Sequence, residues 1–387
     1  MKGVELMAMY LDNAATTKPK QEVIEAMIPY FTNKWHNPSS LYSDAVKVKK
    51  DIEDARKTVA NFINANANEI YFTSSGSESN CWAIRGFVDY SISKGRKPCV
   101  ITSTIEHKSI IECVDHLNNV EVHYIGVDKY GFVNLANLRS MMLQARVTCD
   151  DIVVSIQFAN NEIGTIQRIE DIADVVHRYD GVFHTDAVQA VGNVHIDVEA
   201  LGVDMLTASG HKMGCPKGCG FLYKKNNVNI NPLIYGTQMD GLRGGTENTA
   251  YIMGMAKAIE LCDTNFSNIE ELYSKTDYFI GYLKYKFNAK LNGHPVKRLP
   301  NNVNVTFPQN ITAEALLYSL DLSNIQVSVG SACNSHSIEP SHVLKAIGLS
   351  DEEAMKTIRI TINNDITYED IDYVVEELDK AIKIISI

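Results

Sequence analysis

The 387 residues lack most of what would mark a membrane, secreted or nucleic-acid-binding chain. No apolar run approaches the roughly 18 residues that a spanning helix needs. Glu5 interrupts Met1–Tyr10 where a signal peptide would keep its apolar core. A cytoplasmic protein with no membrane partner is expected. No concentrated basic patch is visible either; Lys47-Val-Lys-Lys50 reads as a solvated helix face, and a net charge of −11 would repel a phosphate backbone. Nucleic acid is therefore not an expected partner. Low-complexity segments and short-period repeats are absent, and 45% hydrophobic with 21% charged residues is ordinary for a globular chain. Disorder is expected only at termini and loops. The eight cysteines are irregularly placed and do not resemble a disulfide framework. Cys215 and Cys219, in Gly-Cys-Pro-Lys-Gly-Cys, invite a metal, but the spacing lacks two further ligands, so none is expected.

What is present is length enough for two lobes, since single cores rarely grow beyond roughly 250–300 residues. Between about residues 69 and 210 short apolar, β-branched segments alternate with amphipathic ones: Glu69–Thr73, Cys99–Ser103, Val120–Ile125, Ile152–Gln157, Val182–Thr185 and Asp204–Ala208, with helical stretches such as Ile169–Tyr179 between them. That alternation predicts an α/β fold, a mostly parallel sheet covered on both faces, whose ligands bind beyond the strands' carboxyl ends. From roughly residue 264 the pattern changes to a long polar helix, a strand at 302–307, a helix at 313–320 and a closing strand and helix. A large domain over 17–263 and a small one formed by 1–16 and 264–387 are expected.

Chemistry-bearing residues fall at those strand ends. Ser209-Gly-His-Lys212 follows Asp186-x-x-Gln189, and the small-residue loop Gly330-Ser-Ala-Cys-Asn-Ser335 comes later. A lysine amine can hold an aldehyde cofactor, an upstream carboxylate can keep a pyridine nitrogen protonated, and a loop cysteine can attack what the cofactor activates. The combination reads as a pyridoxal-phosphate enzyme with a thiol nucleophile. Ser75-Gly76-Ser77-Glu78-Ser79 supplies hydroxyls and N–H groups for a phosphate where a helix begins, with Ser209 and His211 completing the cup. Taken singly, each group has a plainer reading: Lys212 on the surface, Asp186 as a helix cap, Ser75–Ser79 as a capping box, His107 as a structural histidine, Arg359 in a salt bridge, Cys333 buried and inert.

Read together with Tyr10-Leu-Asp-Asn-Ala-Ala-Thr-Thr17, His36-Asn-Pro-Ser-Ser40, Glu106-His107, Asn160-Asn-Glu-Ile-Gly164, Glu339-Pro-Ser-His342 and Ile358-Arg359, these motifs resemble, nearly end to end, the cysteine desulfurases of the class V aminotransferase family. The resemblance implies the fold of the PLP-dependent transferases, with an aspartate-aminotransferase-like large domain and a smaller α+β domain. It implies removal of sulfur from L-cysteine, giving L-alanine and a persulfide on Cys333 destined for iron-sulfur clusters or thio-cofactors. It assigns Lys212 to the cofactor aldehyde, His107 to ring stacking and substrate protons, and Gln189 to the phenolic oxygen. Gly76, Ser77, Asn161, Asp186, Ser209 and His211 complete the cofactor site, and Asn13, Asn37, Asn161 and Arg359 the substrate site. Thr246, in Arg243-Gly-Gly-Thr246, would come from the neighbouring subunit, so a homodimer is expected. The long Gly-Ser-Ala-Cys loop resembles the group whose cysteine travels to a sulfur acceptor or scaffold protein. A selenocysteine lyase, a cysteine sulfinate desulfinase and a non-catalytic sulfur-relay platform are the rival readings. The sequence departs from the family at Thr237 and Met239, in Met213-Gly-Cys215 where Ile-Tyr-Gly is usual, and in stopping at Ile387 without the tail that many relatives use to dock a scaffold.

Overall fold

A computed structural model describes residues 8–329 and 340–386. Its elements run β1 (Met9–Tyr10), α1 (Gln21–Thr32), α2 (Ser43–Phe62), β2 (Ile70–Thr73), α3 (Gly76–Ser93), β3 (Pro98–Ser103), α4 (Lys108–Asp115) and β4 (Glu121–Ile125). There follow α5 (Leu135–Thr148), β5 (Asp151–Ser155), α6 (Ile169–His177), β6 (Val182–Asp186), β7 (Met205–Ser209), β8 (Gly220–Lys224), α7 (Thr249–Asn265) and α8 (Ile269–Phe287). The last third adds β9 (Lys290–Leu291), β10 (Asn302–Thr306), α9 (Ala313–Leu322), β11 (Ile325–Gln326), β12 (Ser328–Val329), α10 (His342–Ala346), α11 (Asp351–Met355), β13 (Thr357–Thr361) and α12 (Tyr368–Ile385).

Strands rich in valine and isoleucine assemble into a seven-stranded sheet of order β2-β8-β7-β6-β5-β3-β4. Both faces are covered, which is why these strands read as continuous apolar runs rather than alternating ones. In β3, Cys99 and Ile101 enter one core and Val100 the other; in β5, Ile152 and Val154 part from Val153 in the same way. Five neighbouring strands are parallel, as expected. The exception is β8, antiparallel to both β2 and β7. Sequence reading missed it because the βα alternation stops at residue 210 and β8 arrives after a loop rather than a helix. Close packing demands Gly220 there: a Cβ would lie 2.7 Å from the Ala208 carbonyl oxygen.

A second sheet, β12-β13-β10-β9, is antiparallel. Its core draws Phe279, Leu283, Val305, Leu316, Ile360 and Leu378 together with Leu11 from the other end of the chain. The N-terminal segment is stitched to it, with β1 pairing β11 in parallel and the Thr361 N–H donating to the Leu11 carbonyl at 2.7 Å. On α2, Lys47, Lys49 and Lys50 are exposed while Val48 is buried, the solvated face that the sequence suggests. Among the described residues no helix is long and apolar enough to cross a membrane.

Candidate active site

Three elements converge at the carboxyl edge of the large sheet. β6 ends at Asp186 and β7 at Ser209, side by side in register, Asp186 opposite Thr207. A single 3-10 turn, Gly210–Lys212, then carries the lysine back over the edge. The start of α3 closes the third side, where the Ser75 hydroxyl caps the helix by accepting from the Glu78 N–H. Gly76 is obligatory at this point: a Cβ would stand 2.7 Å from Val188 Cγ2 and 3.5 Å from Ser209 Cβ. The first N–H groups of α3 are thereby held against β7, with Ser77 exposed beside them and Ser209 buried. A helix N-terminus of this kind attracts an anion through its free N–H groups and dipole. Glu78 would oppose one, but Arg243 neutralises it with Nε 2.9 Å from Oε1.

Lys212 is half-buried, and its Nζ donates to the carbonyls of Ala14 and, at 2.7 Å, Ala15. Burial, reinforced by the positive charge of Arg359, pulls its amine down to about 8. Gln189 Nε2 donates to the same Ala14 carbonyl at 3.0 Å, so the N-terminal segment lies across the site. Thr17 holds that segment down through its N–H and hydroxyl, both donated to the His211 carbonyl. His211 is half-buried with Nδ1 3.2 Å from the Thr16 hydroxyl; burial pushes its imidazole down to about 4.

Asp186 does what a cap would do and more. One oxygen accepts from the Val188 N–H at 2.9 Å, and the other accepts from Asn80 Nδ2 at 2.7 Å. Asn80 also donates to the Ser109 hydroxyl at 3.0 Å, and Ser109 reaches His107 Nδ1 through its hydroxyl at 2.8 Å and its N–H at 3.1 Å. Since a backbone N–H can only donate, Nδ1 is an acceptor and the ring proton of neutral His107 sits on Nε2. His107 itself is exposed at the N-terminus of α4. Asn80 and Ser109 were not singled out in the sequence. Asn80 is a wholly buried amide within α3, and no pattern in the sequence marks it or Ser109.

Arg359, on β13, reaches over from the second sheet. It is 5% exposed, lies 2.6 Å from Asp12 Oδ1 through NH2, and donates NH1 to the Asn161 carbonyl at 3.2 Å. Its Nε is buried without a partner. Asn13 is also buried and donates to the Thr361 carbonyl at 2.8 Å. Asn37 stands apart: it is exposed between α1 and α2, and its side chain accepts from the Ser39 N–H. Thr246 is exposed and lines a cavity with Ser74, Cys219, Met239 and Arg243. Met239 and Asp240, at the family departure, adopt left-handed backbones with φ of 47° and 57°. Cys333 lies outside the described residues. Cys215 and Cys219 are buried in the main core, their thiols pushed up by burial, and the one group of three potential metal ligands among the described residues, Cys99, Glu121 and Cys149, lies elsewhere.

A phosphorylated pyridine aldehyde suits this donor set: an anion cradle too tight for any residue but glycine at 76, a carboxylate and a partly neutral lysine amine on neighbouring strand ends, and an unsatisfied guanidinium nitrogen beyond. The class-V aminotransferase family matches over residues 9–374. A cysteine desulfurase IscS of Methanosarcina thermophila is 44% identical over 386 residues, covering 98% of this chain and 93% of the relative. One from Archaeoglobus fulgidus is 40% identical, covering 97% of each. Among solved structures, a NifS-like protein from Rickettsia africae superposes with a TM-score of 0.87 at 33% identity, covering 97% of this chain and 99% of the other. A protein named SspA, solved in complex with cysteine, gives 0.78 at 34%, covering 92% and 98%. The chain belongs to the class-V aminotransferase family and, within it, to the cysteine desulfurases.

Proposed function

We infer that this chain is a pyridoxal-phosphate-dependent cysteine desulfurase that converts L-cysteine to L-alanine and leaves the sulfur as a persulfide on Cys333. The observation that carries the reading is the pairing of Lys212, drawn down to about 8 by burial, with Asp186 on the adjacent strand end. Bound pyridoxal phosphate supplies a sink for the electron pair left when the substrate Cα loses its proton. Lys212 Nζ would hold its aldehyde carbon, the α3 N-terminus with Ser77, Ser209 and His211 would hold its phosphate, Asp186 would keep the pyridine nitrogen protonated, Gln189 would donate to the phenolic oxygen, and Asn161 would complete the site. His107 would stack on the ring, and its Nε2–H is free to hydrogen-bond to the substrate.

Arg359 grips the substrate carboxylate in a planar two-pronged contact, helped by Asn13 and Asn161. Cys333 attacks the substrate sulfur as thiolate: a new S–S bond forms, the Cβ–S bond breaks with its electron pair returning to carbon, and that carbon takes up a proton. Cysteine and one thiol thus give alanine and one persulfide. We place the chain in two domains, 17–263 and 1–16 with 264–387, so that Arg359 and the Cys333 loop come from one and the cofactor ligands from the other. A homodimer in which Thr246 of the partner subunit completes each phosphate cup, a cytoplasmic location, and delivery of sulfur to an acceptor or scaffold in iron-sulfur or thio-cofactor assembly complete the proposal. The test is to supply L-cysteine to the holoenzyme and follow both products. Alanine formed with equimolar sulfide in the presence of a reducing thiol supports the function; cofactor binding without alanine overturns it.

A further inference from the structure

Outside the catalytic apparatus, the seam between α3 and α4 holds two cysteines face to face. Cys81 and Cys113 are each the sixth residue of their helix, and their sulfurs stand 3.2 Å apart. Cys81 is half-buried, within reach of a small solute, whereas Cys113 is 9% exposed and shielded behind it. The hydrogen bond from Cys113, aided by the positive charge of Arg85, holds the Cys81 thiol below its ordinary range, and the same contact with burial pushes Cys113 up. One partner is thus the nucleophile and the other the resolving thiol, the asymmetry that redox-active pairs share. Closing the gap to the roughly 2.04 Å of a disulfide asks for a shift of only about 1 Å. No such relationship joins Cys215 to Cys219, both sealed in the core.

We propose that Cys81 and Cys113 form a dithiol site that hydroperoxides convert reversibly to a disulfide, stapling α3 to α4. The Cys81 thiolate attacks one peroxide oxygen, the O–O bond breaks, and the peroxide leaves as an alcohol, or as water from hydrogen peroxide, after taking a proton. The Cys113 thiol then attacks the resulting sulfenic sulfur and expels water. Two thiols are oxidised and one peroxide reduced. The staple lies beside Asn80, whose amide bonds Asp186 and Ser109, so it forms on the two helices that present the anion cradle and His107.

The experiment uses holoprotein carrying Cys333→Ser, which removes the nucleophilic thiol of the proposed reaction from the count. Stoichiometric hydrogen peroxide should remove two titratable thiols, covalently link tryptic peptides 58–85 and 109–129, and raise Tm, and dithiothreitol should reverse all three. Cys113→Ala should abolish the link and leave a dimedone-reactive sulfenic acid on Cys81. Oxidation at other cysteines with Cys81 still a free thiol overturns the site; a link formed with no rise in Tm overturns the staple. Cys81→Ala, measured in parallel, keeps the question open to refutation should Cys113→Ala not fold: peroxide must then leave Cys113 unmodified.

Discussion

Arg359 and Asp12 lie 347 residues apart in the chain and 2.6 Å apart in space. The guanidinium is buried and the carboxylate partly open, so the pair joins β13 to the N-terminal segment that crosses the active site. Asp12 thus occupies the NH2 prong that a substrate carboxylate would take. Arg359→Ala should therefore raise the half-saturating cysteine concentration at least about tenfold with little change in kcat, as for lost binding common to ground and transition states, a desolvated charge-assisted pair being worth roughly 1.5–3 kcal/mol. Asp12→Asn, which removes the competing anion, should lower it. Saturation curves settle both; an unchanged curve for Arg359→Ala points to another anchor.

The Lys212 amine is lowered from 10.5 to about 8 because burial disfavours its charged form. Capture of pyridoxal phosphate by the cofactor-free protein should accelerate as pH rises through about 8, not through 10.5. Since the unfolded chain binds the proton more tightly, Lys212 costs the cofactor-free fold stability below about 8, and that cost is relieved as pH rises toward 10.5. Urea midpoints of wild type and Lys212→Met across this range should converge at the alkaline end. Parallel curves would contradict the burial argument.

Gly76→Ala places a methyl 2.7 Å from Val188 Cγ2, where a branched side chain on a rigid turn has little room to yield. The start of α3 must shift, and phosphate affinity with it. Cofactor dissociation should rise by an order of magnitude or more, about 1.4 kcal/mol or above, and Val188→Ala in the same chain should restore much of it. Equilibrium dialysis measures this, and failure of the second substitution to rescue would show that contact with Val188 is not the cause.

Asn80→Ala strips Asp186 of a buried donor, at a cost of about 1–3 kcal/mol or more for an unsatisfied acceptor. It also frees Ser109 from its bond to Asn80, loosening the support of His107. Weaker cofactor retention together with a slower alanine-forming step should result, read from dissociation constants and single-turnover rates. If neither moved, the Asp186–Asn80–Ser109–His107 chain would have no functional weight.

Much of this was legible from one sequence because strand ends announce themselves: Asp186, Ser209 and Lys212 sit just past β-branched runs, and a parallel sheet gathers such positions along one edge. Asn80 and Ser109 were not legible, since a polar residue inside a helix acquires meaning only from the helix packed against it. The Asp12–Arg359 pair was equally hidden. It depends on the N-terminal segment returning to the C-terminal lobe, β1 to β11 and Leu11 to Thr361, a pairing of distant segments that no local periodicity encodes. β8 escaped notice for a related reason: an antiparallel insertion reached by a loop breaks the rhythm that made its neighbours readable.

The central claim is that sulfur from L-cysteine comes to rest on Cys333, and mass spectrometry of the holoenzyme after brief exposure to cysteine tests it most directly. A single added sulfur on the peptide containing Cys333, with alanine in equal amount, is the predicted result. Cys333→Ser should still bind pyridoxal phosphate and L-cysteine yet make almost no alanine, because a serine hydroxyl stays protonated where a thiol of pKa about 8.5 is already partly thiolate. Sulfur found on Cys215, Cys219 or another cysteine, or undiminished alanine from Cys333→Ser, would contradict the account.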